Sequence, residues 1–312
     1  MKVAITFPIP EPTKALLSGL FECRFWDSEV PIPPDTLATW LSEVHGVLTT
    51  LTCPLNQEVL STAPHLKVIS TVSVGVDHID VNYAKSKNIT IGHTPGVLTD
   101  STADLAVGLM LAVGRRVAEG DALVREGAWS DGWKPNLLLG TDLSKSTVGL
   151  VGMGPIGQAV AKRLTGFGCR LLAWNRTPRE VADVEFTDLD TLLSSADIVS
   201  LHTALTDETR ELINRTRLSL MKDRAILINT ARGAIVDEAA LTDELALGRL
   251  RAGLDVYAEE PLPRDSVFHS LPGCVLLPHV GSATERTRKA MFELALANLV
   301  AGMQNQSLAA PL

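Results

Sequence analysis

A Gly-x-Gly-x-x-Gly motif at Gly152, Gly154 and Gly157 is the feature that most constrains the fold of this chain. The motif directly follows the apolar run 147–151 and opens a stretch, 156–164, whose apolar residues have helical spacing. A strand, a glycine turn and a helix in this order allow the backbone to approach a pyrophosphate at the helix N-terminus. The motif therefore predicts a dinucleotide-binding unit, whereas an isolated glycine motif would indicate only a tight turn.

Short β-branched runs alternate with longer helical patterns along the whole chain, as is typical of parallel sheets covered by helices. The predicted fold class is α/β, with two doubly wound parallel-sheet domains. Six runs in the second part of the chain suit a complete dinucleotide-binding domain. The predicted strands are residues 3–7, 46–50, 68–71 and 90–92 in the first part, and 146–151, 170–174, 198–201, 225–229, 252–254 and 275–277 in the second.

A change in pattern at Thr94-Pro95-Gly96 predicts a domain boundary, because two turn-forming residues stand there. Ser101-Thr-Ala-Asp104 then reads as a capping box that opens an apolar helix through Gly114. The tail 284–303 has mostly helical spacing and no strand after it, so we expect a helix that returns to the first domain. The predicted domains are residues 1–98 plus 284–312 and residues 99–283.

The composition excludes several classes of partner. The chain has 28 basic and 36 acidic residues, a net charge of −8, and offers no broad attraction for nucleic acid or an anionic membrane. Its four cysteines form no C-x-x-C pair and no histidine lies at metal-ligand spacing, so neither a disulfide framework nor a metal site is expected. The start is too short for a signal peptide, and the apolar stretch 105–114 is too short to span a membrane. We expect a cytoplasmic protein.

The residues about twenty positions after the glycine motif decide between the two nicotinamide dinucleotides. An acidic residue there would accept both ribose hydroxyls of NAD. This chain has Asn175, Arg176 and Thr177 instead, so a guanidinium and two small polar groups favour NADP(H). The alternative is that Arg176 is an ordinary surface charge and that Asn175 still holds NAD(H).

With these motifs in place, the chain resembles the D-isomer-specific 2-hydroxyacid dehydrogenases over its whole length, and among them the glyoxylate/hydroxypyruvate reductases most closely. Seven motifs in the family's order carry the resemblance. They lie at residues 66–78, 94–100, 151–157, 228–233, 253–257, 260–261 and 278–284. The resemblance implies a cofactor domain inserted into a split substrate domain, and a homodimer built through the helix after Asp100.

The resemblance also implies three catalytic residues. Arg232 would hold the substrate carboxylate and polarise the ketone with its planar fork, a geometry that lysine does not reproduce. His279 would protonate the developing alkoxide, and Glu260 would keep the imidazole protonated for that step. Taken singly, each of the three reads more readily as a structural residue, and the spacing of residues 260 and 279 does not show that they touch.

Further contacts follow from the same resemblance. The backbone amides of Val74 and Gly75 would receive the substrate carboxylate, and Leu51 lies in the loop 49–53 that reads substrate size. That loop has no arginine or lysine, which argues against a phosphorylated substrate such as 3-phosphoglycerate. Asp255 would orient the nicotinamide amide. The predicted cofactor contacts are Gly152, Gly154, Pro155, Ile156, Gly157, Asn175, Arg176, Thr177, Thr203, Thr230, Asp255, Gly281 and Thr102.

The predicted function is reduction of a small 2-keto acid, glyoxylate or hydroxypyruvate, by hydride transfer from NADPH. Two alternatives remain at this point. The chain would be an NAD-dependent dehydrogenase of another D-2-hydroxy acid or of phosphite, or it would be a dinucleotide-sensing scaffold like the C-terminal binding protein corepressors. Trp129 and Trp133 lie in a segment that leans toward the partner subunit's site in this family, although aromatic residues there are more often packing residues.

Overall fold

The computed structural model describes residues 1–177 and 179–312, which form two compact units. Residues 1–98 and 284–312 form one unit, called here the N-terminal unit. Residues 99–283 form the other, called here the glycine-loop unit. What each unit binds stays a prediction from the sequence.

The N-terminal unit is a five-stranded parallel sheet with helices on both faces. The strands pair in the order β2-β1-β3-β4-β5. They are β1 (Lys2–Ile5), β2 (Glu22–Phe25), β3 (Gly46–Thr49), β4 (Val68–Thr71) and β5 (Thr90–Gly92). The helices are α1 (Glu11–Leu20), α2 (Pro34–Leu41), α3 (Gln57–Ser61), α4 (Val81–Ser86) and the C-terminal α11 (Glu285–Met303).

The glycine-loop unit is a seven-stranded parallel sheet in the order β12-β11-β10-β9-β6-β7-β8. Its strands are β6 (Thr147–Val151), β7 (Arg170–Trp174), β8 (Glu185–Phe186), β9 (Ile198–Leu201), β10 (Ile226–Asn229), β11 (Arg251–Leu254) and β12 (Cys274–Leu276). Its helices are α5 (Thr99–Gly114), α6 (Val117–Arg125), α7 (Pro155–Thr165), α8 (Leu189–Ser195), α9 (Arg215–Leu220) and α10 (Glu238–Ala246). The predicted class, two parallel-sheet α/β domains, is confirmed.

Each sheet is buried on both faces, which explains why its central strands are mainly apolar and do not alternate with exposed polar residues. In the N-terminal unit, α2, α3 and α4 cover one face and α1 and α11 cover the other. In the glycine-loop unit, α8, α9 and α10 cover one face and α5 and α7 cover the other. The predicted tail helix is α11, with Thr284 as its N-cap, and it packs on β3 and β4. Within the described residues, no helix is long and apolar enough to cross a membrane.

The structure has one more strand in each unit than the sequence predicted. Strand β2 was missed because it lies at a sheet edge and alternates Glu22 and Arg24 with Cys23 and Phe25. Strand β8 has only two residues, too few for any periodicity to be seen.

The predicted start of α5 was wrong. The helix begins at Thr99, so Ser101 lies inside the first turn and does not open it. Asp100 and Asp104 accept hydrogen bonds from the guanidinium of Arg163 on α7 instead. The acidic pattern therefore marks an ion pair between two helices, and α5 begins two residues before Ser101.

Candidate active site

The glycine loop after β6 is packed so closely that only glycine fits at two of its positions. Gly152 has a φ of +101°, and a Cβ there would lie 2.8 Å from the carbonyl carbon of His202. A Cβ on Gly157 would lie 2.1 Å from the carbonyl oxygen of Gly152. At Gly154, by contrast, nothing lies within 4 Å of an added Cβ, so space remains open at the N-terminus of α7. The loop thus leaves room where a pyrophosphate is expected.

The first turn of α7 presents its backbone to that space. Gly154 is the N-cap residue and the exposed Pro155 stands at the first helical position, where its missing N–H costs nothing. Ile156 packs partly against the core below. The other N–H groups of the turn and the helix dipole favour a bound anion.

Several buried polar atoms at the carboxyl ends of β9 and β10 have no partner in the described part of the chain. They are both ring nitrogens of His202 and the hydroxyl oxygens of Thr203 and Thr230, which follow β9 and β10. Burial lowers the pKa of His202 to about 4, so its ring is neutral at physiological pH. Unsatisfied buried polar groups are costly unless a ligand or water completes them. Together with the open glycine loop, these atoms fit a nicotinamide dinucleotide.

Asn175 and Arg176, the residues expected to read the ribose, both have protein partners. The Asn175 side chain accepts a hydrogen bond from the Met153 N–H at 2.9 Å and donates one to the Thr177 carbonyl at 2.7 Å. It therefore braces the glycine loop. The Arg176 guanidinium pairs with the Glu208 carboxylate at 2.6 Å. The sequence after β7 has no acidic residue at this position, but Glu208 from a different loop brings a carboxylate to this arginine.

Arg232 lies in a tight turn after β10 that two buried residues define. The side chain of Asn229, 1% exposed, donates to the Arg232 carbonyl at 2.8 Å and accepts from the Ala231 N–H at 3.0 Å. A Cβ on Gly233 would lie 1.8 Å from the carbonyl carbon of Tyr257. Only glycine lets the turn that carries Arg232 pack against the segment that leads to Glu260.

The side chains of His279 and Glu260 are in direct contact. The Nδ1 atom of His279 lies 2.7 Å from Oε2 of Glu260, and the other carboxylate oxygen accepts from the Tyr257 N–H at 3.0 Å. Burial raises the pKa of Glu260, but the hydrogen bond and charge of His279 and the nearby charge of Arg232 outweigh it, so the pKa lies below its usual value. Both side chains are 27% exposed. The pair is thus a carboxylate held against an accessible imidazole.

The backbone of His279 is strained and is fixed by Asp255. His279 has a φ of +54°, which is unusual for a residue other than glycine. Its N–H donates to the Asp255 carbonyl at 2.9 Å, while the Asp255 carboxylate accepts from the N–H groups of Val280 and Gly281 at 2.7 and 2.8 Å. Burial raises the pKa of Asp255 despite these bonds. A contact between Asp255 and a nicotinamide amide stays a prediction beside this positioning role.

Thr102 and Gly281 meet in the same region. The Thr102 hydroxyl donates to the Gly281 carbonyl at 3.3 Å, and Thr102 is 5% exposed. Both residues therefore border the loop of His279, and their contact with a cofactor stays a prediction.

The predicted substrate contacts of the N-terminal unit lie at the carboxyl ends of its strands. The Val74 carbonyl accepts from Nδ1 of His93 at 3.0 Å, and the Gly75 carbonyl accepts from the Ser73 hydroxyl at 2.8 Å. Within the described residues, the amide N–H groups of Val74 and Gly75 have no partner. Leu51 is half-buried in a turn closed by the Cys53 N–H and the Thr50 carbonyl. The free amides suit a carboxylate ligand.

Sequence reasoning missed four residues that shape this site. Asn229 and Gly233 flank the arginine turn. The glycine directly after Arg232 in the sequence was a signal that position 233 has no room for a side chain. His202 follows a buried strand at the same sheet edge as the glycine loop, so its position was also readable. Glu208 carried no signal, because it is 32 residues from Arg176 in the chain.

Comparison with known proteins supplies the context for this geometry. A family model described as "D-isomer specific 2-hydroxyacid dehydrogenase, NAD binding domain" matches residues 107–281. The glyoxylate reductase of Thermococcus litoralis is 44% identical, with 96% of this chain and 93% of that protein covered. The crystal structure of the TT0316 protein from Thermus thermophilus superposes with a TM-score of 0.92 at 46% identity, with both chains covered completely.

A third relative has bound ligands. The NADPH-dependent glyoxylate/hydroxypyruvate reductase of Sinorhizobium meliloti, in complex with NADP and malonate, has a TM-score of 0.89 at 31% identity. The comparison covers all of this chain and 96% of that one.

Proposed function

Because the chain belongs to the D-isomer-specific 2-hydroxyacid dehydrogenases, we propose that it reduces glyoxylate or hydroxypyruvate to the 2-hydroxy acid with NADPH. The glycine-loop unit binds the dinucleotide in this proposal, and the N-terminal unit contributes substrate contacts. The observation that carries the proposal is the 2.7 Å contact between His279 and Glu260, with the charge of Arg232 acting on the same carboxylate.

The reaction needs an anchor, an acid and a hydride donor. When bound, the reduced nicotinamide supplies the hydride that the carbonyl carbon accepts. Arg232 holds the substrate carboxylate and polarises the ketone, because its planar guanidinium can donate two parallel hydrogen bonds. His279 donates its Nε2 proton to the carbonyl oxygen as that oxygen becomes an alkoxide. The products are the 2-hydroxy acid, the oxidised dinucleotide and a neutral imidazole, which takes up a proton from water.

Glu260 keeps His279 ready for this step. Its carboxylate accepts from Nδ1, so it fixes the ring orientation and stabilises the imidazolium form. The lowered pKa of Glu260 supports this role, because the carboxylate stays charged throughout the physiological range. Asp255 holds the backbone of the histidine loop in its strained conformation.

NADPH is proposed as the preferred cofactor, with NADH as a weaker alternative. The support is the Asn175-Arg176-Thr177 sequence after β7, where a guanidinium can meet a 2′-phosphate. The relative from Sinorhizobium meliloti is described as NADPH-dependent. Arg176 also pairs with the carboxylate of Glu208, and this pairing influences how strongly NADPH is preferred over NADH.

The proposed substrate is small and carries no phosphate. The turn 49–53 contains no cationic side chain that could hold one. The names of the relatives from Thermococcus litoralis and Sinorhizobium meliloti agree with glyoxylate and hydroxypyruvate.

We also propose a cytoplasmic homodimer. The segment 117–139 supports the dimer, because it exposes an unusual number of large apolar side chains for one stretch. Their exposed fractions are 55% for Val117, 59% for Val124, 52% for Trp129, 81% for Trp133, 38% for Leu137 and 59% for Leu139. Sedimentation at micromolar concentration should give twice the chain mass of 33.5 kDa. A single species at the chain mass would contradict the dimer.

Steady-state kinetics test the function directly. The purified chain is assayed with glyoxylate, hydroxypyruvate, pyruvate and a bulkier 2-keto acid, each with NADPH and with NADH. We expect the highest kcat/KM for glyoxylate or hydroxypyruvate with NADPH. Equal efficiency with both cofactors would contradict the NADPH preference. Dinucleotide binding without turnover of any keto acid would favour the scaffold alternative.

A further inference from the structure

The ion pair between Arg176 and Glu208 joins two loops that the chain separates widely. The Nη1 atom of Arg176 lies 2.6 Å from Oε2 of Glu208, and the two side chains are 72% and 69% exposed. Arg176 follows β7, whereas Glu208 lies in the loop between β9 and α9. An exposed pair of this kind adds little to stability, so its position is more informative than its strength.

The loop that carries Glu208 is held by its own hydrogen bonds. The Thr209 hydroxyl accepts from the Thr206 N–H at 2.8 Å and donates to the Ala204 carbonyl at 2.7 Å. Two residues on, the Glu211 N–H donates to the Ala234 carbonyl at 2.9 Å. These bonds brace the loop on both sides of Glu208, whose carboxylate lies within reach of Arg176.

Sheet topology places this pair where an adenosine ribose would lie. Strand β6 pairs with β7 on one side and with β9 on the other, so the glycine loop ends between the loops of Arg176 and Glu208. Asn175 bonds directly to Met153 of the glycine loop. In dinucleotide-binding sheets, the group that reads the ribose stands at the end of the second strand, here β7.

We propose that Glu208 sets how strongly this chain prefers NADPH over NADH. Its carboxylate occupies the Arg176 guanidinium that a 2′-phosphate needs, and it repels that phosphate. Toward NADH, the same carboxylate is an acceptor for a ribose hydroxyl, the role of the acidic residue that is absent after β7. The proposal rests on the proposed function only for dinucleotide binding and needs no keto acid.

Direct binding of adenosine nucleotides separates this role from catalysis. Wild type, Glu208→Gln and Arg176→Gln are titrated by calorimetry with adenosine 2′,5′-bisphosphate and with adenosine 5′-phosphate, at low and at high salt. We expect Glu208→Gln to increase the affinity for the bisphosphate about threefold to fivefold, near the upper limit for an exposed ion pair. Binding of the 5′-phosphate should not tighten. The gain should shrink at high salt, since exposed charges are screened. Arg176→Gln should weaken binding of the bisphosphate more than binding of the 5′-phosphate.

Asp207→Asn is the matched control, because it removes the same charge from the neighbouring position of the same loop. It should change the ratio of the two affinities by less than about twofold. The ratio of the affinities for the bisphosphate and the 5′-phosphate is compared among the variants. If this ratio in Glu208→Gln equals that of wild type or of Asp207→Asn, the role of Glu208 is overturned and the proposed function is left intact. Wild type that binds neither nucleotide would overturn both. Glu208 is exposed, so an unchanged melting temperature should accompany the substitution.

Discussion

At the residue scale, the candidate site is a set of side chains whose roles are divided between chemistry and support. His279 and Glu260 touch each other, and the charge of Arg232 acts on the same carboxylate. The buried side chains of Asp255 and Asn229 bond to backbone groups of the turns that carry His279 and Arg232. Substitution of the supporting residues should thus alter geometry, whereas substitution of the first three should alter chemistry.

Glu260→Gln should change the pH profile of reduction. Glutamine keeps the size and one acceptor oxygen but loses the charge that stabilises the protonated imidazole of His279. We expect the alkaline limb of kcat/KM for glyoxylate reduction to move to lower pH. Glu259→Gln, which removes the same charge from the exposed neighbouring residue, is the control and should leave the profile in place. An unchanged profile for Glu260→Gln would remove this residue from the mechanism.

The same carboxylate has a consequence for stability. Its pKa is lowered in the folded chain, so the pair with His279 stabilises the fold above the ordinary glutamate value of 4.5. That contribution is lost as the pH falls through the lowered pKa. The difference in melting temperature between wild type and Glu260→Gln should therefore shrink toward acid pH, which thermal unfolding at several pH values would show.

At this scale, contacts between residues far apart in the chain were the part that could not be predicted from the sequence. The glycine motif could be interpreted because its partners are adjacent in the chain, and local patterns determine local structure. The contact of residues 260 and 279 and the pair of residues 176 and 208 each depend on how strands order in the sheet. No local pattern encodes that order. Family resemblance supplied the first contact, and nothing supplied the second.

At the element scale, the strand ends of the glycine-loop unit determine where chemistry can occur. The glycine loop follows β6, His202 and Thr203 follow β9, and Arg232 lies in the turn after β10. Because all the strands are parallel, their carboxyl ends meet along one edge of the sheet, as in other doubly wound folds.

Substitution by alanine should affect different properties at two glycines of this edge, namely stability at Gly157 and NADPH binding at Gly154. At Gly157 a Cβ would clash with the Gly152 carbonyl, so Gly157→Ala should lower stability by about 1–3 kcal/mol, as overpacking does. At Gly154 the space is open, so Gly154→Ala should leave the melting temperature nearly unchanged but weaken NADPH, because the methyl group enters the pyrophosphate space. Thermal unfolding and nucleotide titration distinguish the two. Equal loss of stability in both variants would contradict this description of the loop.

Most elements were predictable from the sequence, and the exceptions share a cause. Central strands such as β4 and β9 are buried at every position and are mainly apolar, which the sequence showed correctly. The edge strands β2 and β8 are half-exposed or very short. Neither an apolar run nor a clear alternation of apolar and polar residues therefore identifies them in the sequence. The start of α5 was misplaced because Asp104 reads as part of a cap, while its actual partner is Arg163 on α7.

At the scale of the whole molecule, a net charge of −8 must be reconciled with anionic ligands. Both the proposed keto acid and the dinucleotide are negatively charged, so capture depends on local groups and not on the overall field. Arg232, Arg176 and the N-terminus of α7 are the groups that the proposal assigns to this task. The division into two compact units suits the assignment of dinucleotide and substrate contacts to different parts of the chain.

Substitution of His279 tests most directly whether this residue is the acid of the reaction. The rate of NADPH oxidation by glyoxylate is measured for wild type, His279→Asn and the control His269→Asn, which alters an exposed histidine outside the site. NADPH affinity is measured by titration in parallel. We expect His279→Asn to lose at least about a hundredfold in kcat with unchanged NADPH affinity, and His269→Asn to match wild type. A His279→Asn variant that retains the wild-type kcat would contradict the role of His279 as the acid.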